Sequence, residues 1–248
     1  MDILYLYRVS GAMPSGIAVI SVFFFFGSFF LFASRQKEKM NFISIICIMY
    51  DRKENIMSVN FRGSKTEQEL INAFAGESMA RNRYTTFASV AKKEGYEQIA
   101  EIFEQTARNE YEHAKLFYKH ISTTSDGHVD SCYPFELGTT EENLLSAIEG
   151  ETEEFTNLYA NAEKIALEEG FDSVASTFKH VINSEKHHAQ RYQMLYYNLK
   201  NDTIFKKEKE EKWICRECGY VHEGNSAPDY CPNCHHKKAY FQLLCEKY

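Results

Sequence analysis

The sequence predicts an all-α fold: a four-helix bundle with one long crossover, followed by a small metal-thiolate domain. Three observations carry that reading. The Glu-x-x-His pairs Glu110/His113 and Glu185/His188 lie on apolar faces of helical pattern, and residues three apart share a helix face. Glu77 and Glu151 interrupt the apolar faces of two further helical stretches. Two Cys-x-x-Cys pairs stand near the C-terminus. A Glu-x-x-His from each of two helices, with a Glu from each of two others, is the ligand set of a carboxylate-bridged di-iron site inside a bundle.

Bulk composition agrees. The 248 residues, 44% hydrophobic and 25% charged, suit globular domains, and only four prolines and twelve glycines suit long helices. A net charge of -7 without a basic stripe argues against a nucleic-acid partner. Seven cysteines, four of them paired by spacing, read as metal binding in a reducing, cytoplasmic setting rather than as a disulfide frame.

Residues 1–56 form an apolar extension. Within it Gly16–Ala33 is an uncharged run which, as a helix, would cover roughly 27 Å, near the lower limit for a membrane span. Basic residues after it would leave the following domain on the cytoplasmic side. The preferred expectation is plainer: Met57 starts the protein, and the extension is artefactual. A membrane anchor through residues 16–33 and a targeting segment are the alternatives. A bundle domain is expected over 57–203 and a thiolate domain over 204–248.

Helix one is expected to open with a Thr66/Glu69 capping box, to bury Leu70, Phe74, Ala80, Tyr84, Phe87 and Ala91, and to stop at Gly95. Helix two carries Ile99, Phe103, Thr106, Ala114, Phe117 and Ile121 on the face of Glu110 and His113. Ser122–Gly138 is loop-like and can reach roughly 55 Å, enough to cross the bundle lengthwise. Helix three opens with a Thr139/Glu142 capping box and runs through Leu144, Ile148, Phe155, Leu158, Ala162 and Ile165 to Gly170, with Glu151 and Glu154 on the same side. Helix four places Val174, Phe178, Val181, Tyr192, Leu195 and Leu199 with Glu185 and His188.

The halves repeat: Glu151 follows Glu77 by 74 residues, and Glu185 follows Glu110 by 75. Hairpins turning at Gly95 and Gly170 bring Glu77 level with Glu110 and Glu151 level with Glu185, each about 24 Å from its turn. Five carboxylates and two histidines thus meet at one height, where buried acids must pair or bind metal. Glu112, Glu149, Glu153 and His187 fall off this line and are expected in solvent. Hard oxygen ligands with imidazole suit iron or manganese. Glu110 and Glu185 are placed to bridge; Glu77, Glu151 and Glu154 are terminal; His113 and His188 give one nitrogen each. Glu154 is an extra acid, since the first half has Ala80 there.

Cys215, Cys218, Cys231 and Cys234 make a tetrahedral thiolate site for zinc or a single iron, and the neighbouring di-iron bundle favours an electron-carrying iron. His222, His235 and His236 are expected exposed, and Cys132 and Cys245 free; Cys47 carries no assigned role.

From about residue 57 to the end, the motif Ala75-Gly76-Glu77-Ser78-Met79-Ala80-Arg81-Asn82-Arg83-Tyr84, both Glu-x-x-His segments, Gly150-Glu151-x-x-Glu154 and the cysteine pairs resemble the rubrerythrin family. The resemblance implies a ferritin-like bundle with a rubredoxin-like domain. It also implies a non-haem peroxidase reducing hydrogen peroxide to water under oxidative stress. Electrons would pass from an NAD(P)H-dependent reductase through the four-cysteine iron to two non-haem irons. It further implies that His113 and Glu154 exchange at one iron on redox change, that Tyr84 and Tyr159 hydrogen-bond ligand carboxylates, and that the chain forms a homodimer or higher homo-oligomer. The rival reading is a ferroxidase or iron-storage protein, which has little need of an attached one-electron carrier.

Overall fold

A computed structural model describes residues 21–25, 28–32 and 60–246. The chain separates into two units, Met1–Met57 and Ser58–Tyr248. In the first, strands β1 (Ser21–Phe25) and β2 (Ser28–Phe32) pair antiparallel. The described residues of the 16–33 run are therefore strand rather than helix, an apolar run fitting either by pattern alone; the rest of that run, Cys47 and Met57 lie outside the described residues. No helix among the described residues is long and apolar enough to cross a membrane.

The second unit begins with helices α1 (Lys65–Glu94) and α2 (Glu97–Ile121), a hairpin closed by Gly95 in left-handed geometry at φ 87°. Residues 122–139 cross over without helix. Helix α3 (Thr140–Glu153) runs through a π-helical turn (Glu154–Leu158) into α4 (Tyr159–Glu168), then α5 (Asp172–Lys200) returns after Gly170 at φ 83°. Those two glycines matter because an L side chain resists that backbone region.

The Thr139/Glu142 capping box forms as expected. The α1 start differs. Ser64 is the cap, its hydroxyl accepting from Glu67 N, and Thr66 lies inside the helix. Thr66 instead donates from backbone and hydroxyl to Glu169 at 2.9 and 2.7 Å. Glu94 receives the Thr140 backbone N–H at 2.9 Å. Each hairpin thus carries at its turn a glutamate that satisfies orphan amides at the start of the other hairpin, which ties their relative register.

Two apolar clusters bracket the middle of the bundle. Tyr84, Phe87, Phe103, Leu144 and Tyr192 fill one end; Leu70, Phe117, Tyr159, Val181 and Phe178 fill the other. Each fully buried Leu or Phe contributes about 1.5–3 kcal/mol. Between them the polar residues have nowhere to go but inward.

The π-turn corrects one expectation. Leu158, placed in the core by a 3.6-residue period, is 51% exposed. The turn takes up one extra residue, so Tyr159 takes the core position expected of Leu158 and Ala166 that expected of Ile165, while Ala162 faces inward as expected.

The C-terminal module is a three-stranded antiparallel sheet, ordered β4 (Val221–Ser226), β3 (Lys206–Cys215), β5 (Phe241–Leu243). Trp213 and Phe241 are its buried centre. Phe205 stacks on Tyr96 of the bundle at 6.2 Å between ring centroids, and Arg216 lies 3.6 Å from Glu101.

Candidate metal centres

The acids and imidazoles converge. One donor atom each from Glu77, Glu110, His113 and Glu185 lie within 4.8 Å of one another, as do one each from Glu110, Glu151, Glu185 and His188. Both tetrads are fully buried, and Glu110 and Glu185 belong to both. His113 Nδ1 lies 2.9 Å from Glu110 Oε2 and 2.9 Å from Glu185 Oε1. His188 Nδ1 lies 2.8 Å from Glu185 Oε2, 3.2 Å from Glu110 Oε1 and 3.4 Å from Glu151 Oε2.

These short distances are not hydrogen bonds. Both oxygens of Glu110 and of Glu185, one each of Glu77 and Glu151, and both Nδ1 atoms are buried without a hydrogen-bond partner. Leaving one such group unsatisfied costs about 1–3 kcal/mol, more when charged. So many lone pairs aimed at two adjacent points fit a pair of cations. Two carboxylate oxygens that do have partners are held by tyrosines: Tyr84 Oη donates to Glu151 Oε1 at 2.6 Å, and Tyr159 Oη to Glu77 Oε1 at 2.7 Å. Each tyrosine reaches from one half of the bundle to the acid of the other.

Without cations the site is electrostatically strained. Burial first, then the Glu185 carboxylate, pushes Glu77 up to about 8. Burial also raises Glu151 and Glu154 well above the carboxylate range. Burial would raise Glu185 too, but the two imidazoles beside it hold it down to about 2. The carboxylates overcome the burial of His188 and raise it to about 12; they raise His113 likewise.

Glu154 is buried but belongs to neither tetrad. It opens the π-turn and faces Glu77 and Glu151 electrostatically. Glu112, Glu149, Glu153 and His187 are exposed. Sequence reasoning missed Tyr133, a crossover-loop residue that lies over Gly76 and senses the charges of Glu154 and Glu77. A loop residue has no periodicity to betray it. Arg83 was passed over as part of a motif.

In the module the four cysteine sulfurs gather within 4.8 Å of one another. Cys215 and Cys234 Sγ are 3.7 Å apart, and Cys218 and Cys231 Sγ 3.5 Å. A tetrahedron with metal–sulfur bonds of about 2.3 Å has edges near 3.8 Å, so the cage has the right size. Two matching turns build it: Gly219 N donates to Cys215 O and His235 N to Cys231 O, with Gly219 and His235 both at positive φ. His236 is only half-exposed, not free in solvent as expected, because its Nδ1 lies 3.4 Å from Cys234 Sγ.

Fold and donor sets together define a ferritin-like protein with a carboxylate- and histidine-lined di-iron site and a rubredoxin-like iron module. The rubrerythrin family profile matches residues 69–196, and that of the rubrerythrin rubredoxin-like domain matches 213–242. The chain belongs to the rubrerythrin family. It is 46% identical over 193 residues to Rubrerythrin-1 of Clostridium acetobutylicum, covering 76% of this chain and 99% of that protein. It is 42% identical over 186 residues to rubrerythrin of Nitratidesulfovibrio vulgaris, covering 75% of this chain and 97% of the relative. Among solved structures, fully reduced, all-ferrous nigerythrin overlays with a TM-score of 0.51 at 31% identity, covering 76% of this chain and 90% of that one. Bacterioferritin of Rhodobacter capsulatus overlays at 0.50 with 21% identity, covering 55% and 86%, and so shares the fold.

Proposed function

We propose that this chain reduces hydrogen peroxide to water, using electrons that an NAD(P)H-dependent reductase delivers through the four-cysteine centre. The observation that carries the reading is the pairing, on one chain, of a buried two-cation carboxylate site with a four-thiolate cage. Iron at these sites would supply two electrons to the O–O bond and take replacements one at a time. The balance is one peroxide, two electrons and two protons giving two waters.

The protein's own contribution is positional. Glu110 and Glu185, which belong to both donor sets, would be shared between two ions; Glu77 with His113, and Glu151 with His188, would complete the two sides. Tyr84 and Tyr159 fix the terminal carboxylates in orientation and donate to their outer oxygens. The apolar clusters on either side keep bulk water from the bridging acids. Glu154 is read as the extra ligand that exchanges with His113 on redox change, and the chain as a homodimer or higher homo-oligomer. The ferroxidase or storage reading leaves the thiolate cage without a task.

The test is a metal count and visible spectrum on the full chain, then peroxide added to the reduced protein. Three irons per chain and rapid recolouring are expected. Many irons per chain with no response to a reductase would point to storage and overturn the peroxidase reading. Cys218→Ser should stop reductase-driven turnover while the bundle irons stay countable; surviving electron delivery would sink the relay.

A further inference from the structure

Helix α1 points Glu77, Ala80 and Tyr84 into the bundle, and that spacing turns the neighbouring Arg83 toward the groove between α1 and α3. There the guanidinium lies among rings: its Cζ is 5.2 Å from the centroid of Tyr133 and 5.6 Å from those of Tyr84 and Phe87. Nη2 lies so close to Gly150 that a Cβ there would meet it at 3.0 Å. The missing side chain at 150 is what lets the guanidinium lie flat against α3, one turn before Glu154. Nε and Nη1 are buried and have no hydrogen-bond partner.

A second group is stranded on the same side. Among the described residues, the buried Glu154 carboxylate accepts no hydrogen bond and stands outside both tetrads. The carboxyl lies within electrostatic reach of both Arg83 and Tyr133. Beyond Arg83 a cavity of about 310 Å³ opens, lined by Met79, Thr86, Tyr133 and Phe135 among others. Glu154 also begins the π-turn, a backbone feature that recurs at functional sites. A guanidinium with two unpaired N–H groups, seated on the helix one turn before a buried carboxyl, offers that acid a charge-assisted partner once it ionises.

We propose that Arg83 is a positioning residue: its guanidinium, seated against Gly150 and under Tyr133, receives the Glu154 carboxylate whenever that acid is off the metal. The inference rests on the reading of Glu154 as an exchangeable ligand. It gives the exchange a second resting place, so the acid moves between two defined partners. Tyr133, supplied by the crossover loop, covers that resting place.

Zinc(II), a divalent ion that cannot change oxidation state, is the probe. In the zinc-loaded full chain, crystal structures should show Glu154 turned to Arg83 within hydrogen-bond distance. Arg83→Gln should release the carboxylate from that position with both bundle metals still bound, and Arg83→Lys should restore it in part. In the iron-loaded chain, Arg83→Gln should slow the redox-coupled step about tenfold or more, the loss of one charge-assisted hydrogen bond. Adding Arg83→Gln to Glu154→Gln should then cost nothing further. An unmoved carboxylate in Arg83→Gln with unchanged rates overturns the proposal. If Glu154→Gln is slow while Arg83→Gln is normal, only the role of Arg83 falls. If Glu154→Gln itself behaves as wild type, the exchangeable-ligand reading fails with it.

Discussion

The two halves of the bundle repeat one ligand pattern, but the second is one residue longer between its acid and its tyrosine, and the extra residue falls beside the buried acids. Glu77 and Tyr84 are seven apart on α1, two ordinary helical turns; Glu151 and Tyr159 are eight apart on the third bundle helix. Both pairs nevertheless form the same cross-half hydrogen bond, 2.6 Å in one direction and 2.7 Å in the other. The π-turn from Glu154 to Leu158 absorbs the difference. It also explains why the internal repeat is offset by 74 residues at Glu77/Glu151 and by 75 at Glu110/Glu185, His113/His188 and Gly95/Gly170. Symmetry builds the two tetrads; the inserted residue breaks the symmetry beside the one acid that has no twin.

The comparison can be broken most severely at what the halves share. Glu185→Ala or Glu110→Ala removes a carboxylate from both tetrads. The expected outcome is loss of both bundle metals and of peroxide turnover, with the thiolate-iron colour intact. Retained turnover in a metal count of the same sample would refute the bridging assignment.

A finer cut removes the asymmetry alone. Deleting the exposed Thr156 restores the seven-residue spacing of the first half. The helix should stay helical by circular dichroism and both metals should bind. Turnover should fall to the level of Glu154→Ala. Wild-type turnover would separate the π-turn from the function of Glu154.

The tyrosines test whether the halves are equivalent in strength. Tyr84→Phe and Tyr159→Phe each leave a buried carboxylate oxygen without its donor, at a cost of about 1–3 kcal/mol. Thermal unfolding of the metal-loaded variants should give similar losses. A loss confined to one variant would show that the repeat is geometric but not energetic.

The smallest effect is that of pH on the metal-free chain. Glu77 is raised to about 8 when folded, so between the ordinary carboxylate value and pH 8 the native state holds a proton that the unfolded chain has released. Stability then falls as pH rises through that window. The raised His188 has the same sign from about its ordinary value upward, its stabilisation being lost toward pH 12. Metal replaces those protons and should flatten or reverse the slope. A Tm of the metal-free protein that climbs from pH 5 to 8 would contradict the burial of these acids.

Much of this was written in the chain. Acids on apolar faces, glycines at the hairpin ends and the Thr139 cap all act locally or through a fixed period, and sequence displays both. What escaped was what depends on distant partners. Thr-x-x-Glu fits a capping box and so points to Thr66 as the start of α1; in the fold Glu169 claims Thr66 and Ser64 takes the cap. Leu158 was assigned inward because one period was carried through the π-turn. Glu154 and Tyr159 face inward five residues apart, about 140° round a regular α-helix, and only the π-turn brings them onto one side. Tyr133 and the contact of His236 with Cys234 depend on loop paths that periodicity does not encode.

Shared ownership of Glu110 and Glu185 has a further consequence for how the bundle fills. An ion bound at one position would orient two acids that the other position also needs, so the two positions should fill as a coupled pair rather than independently. A titration with metal should therefore look steep, passing from empty to doubly occupied with little between.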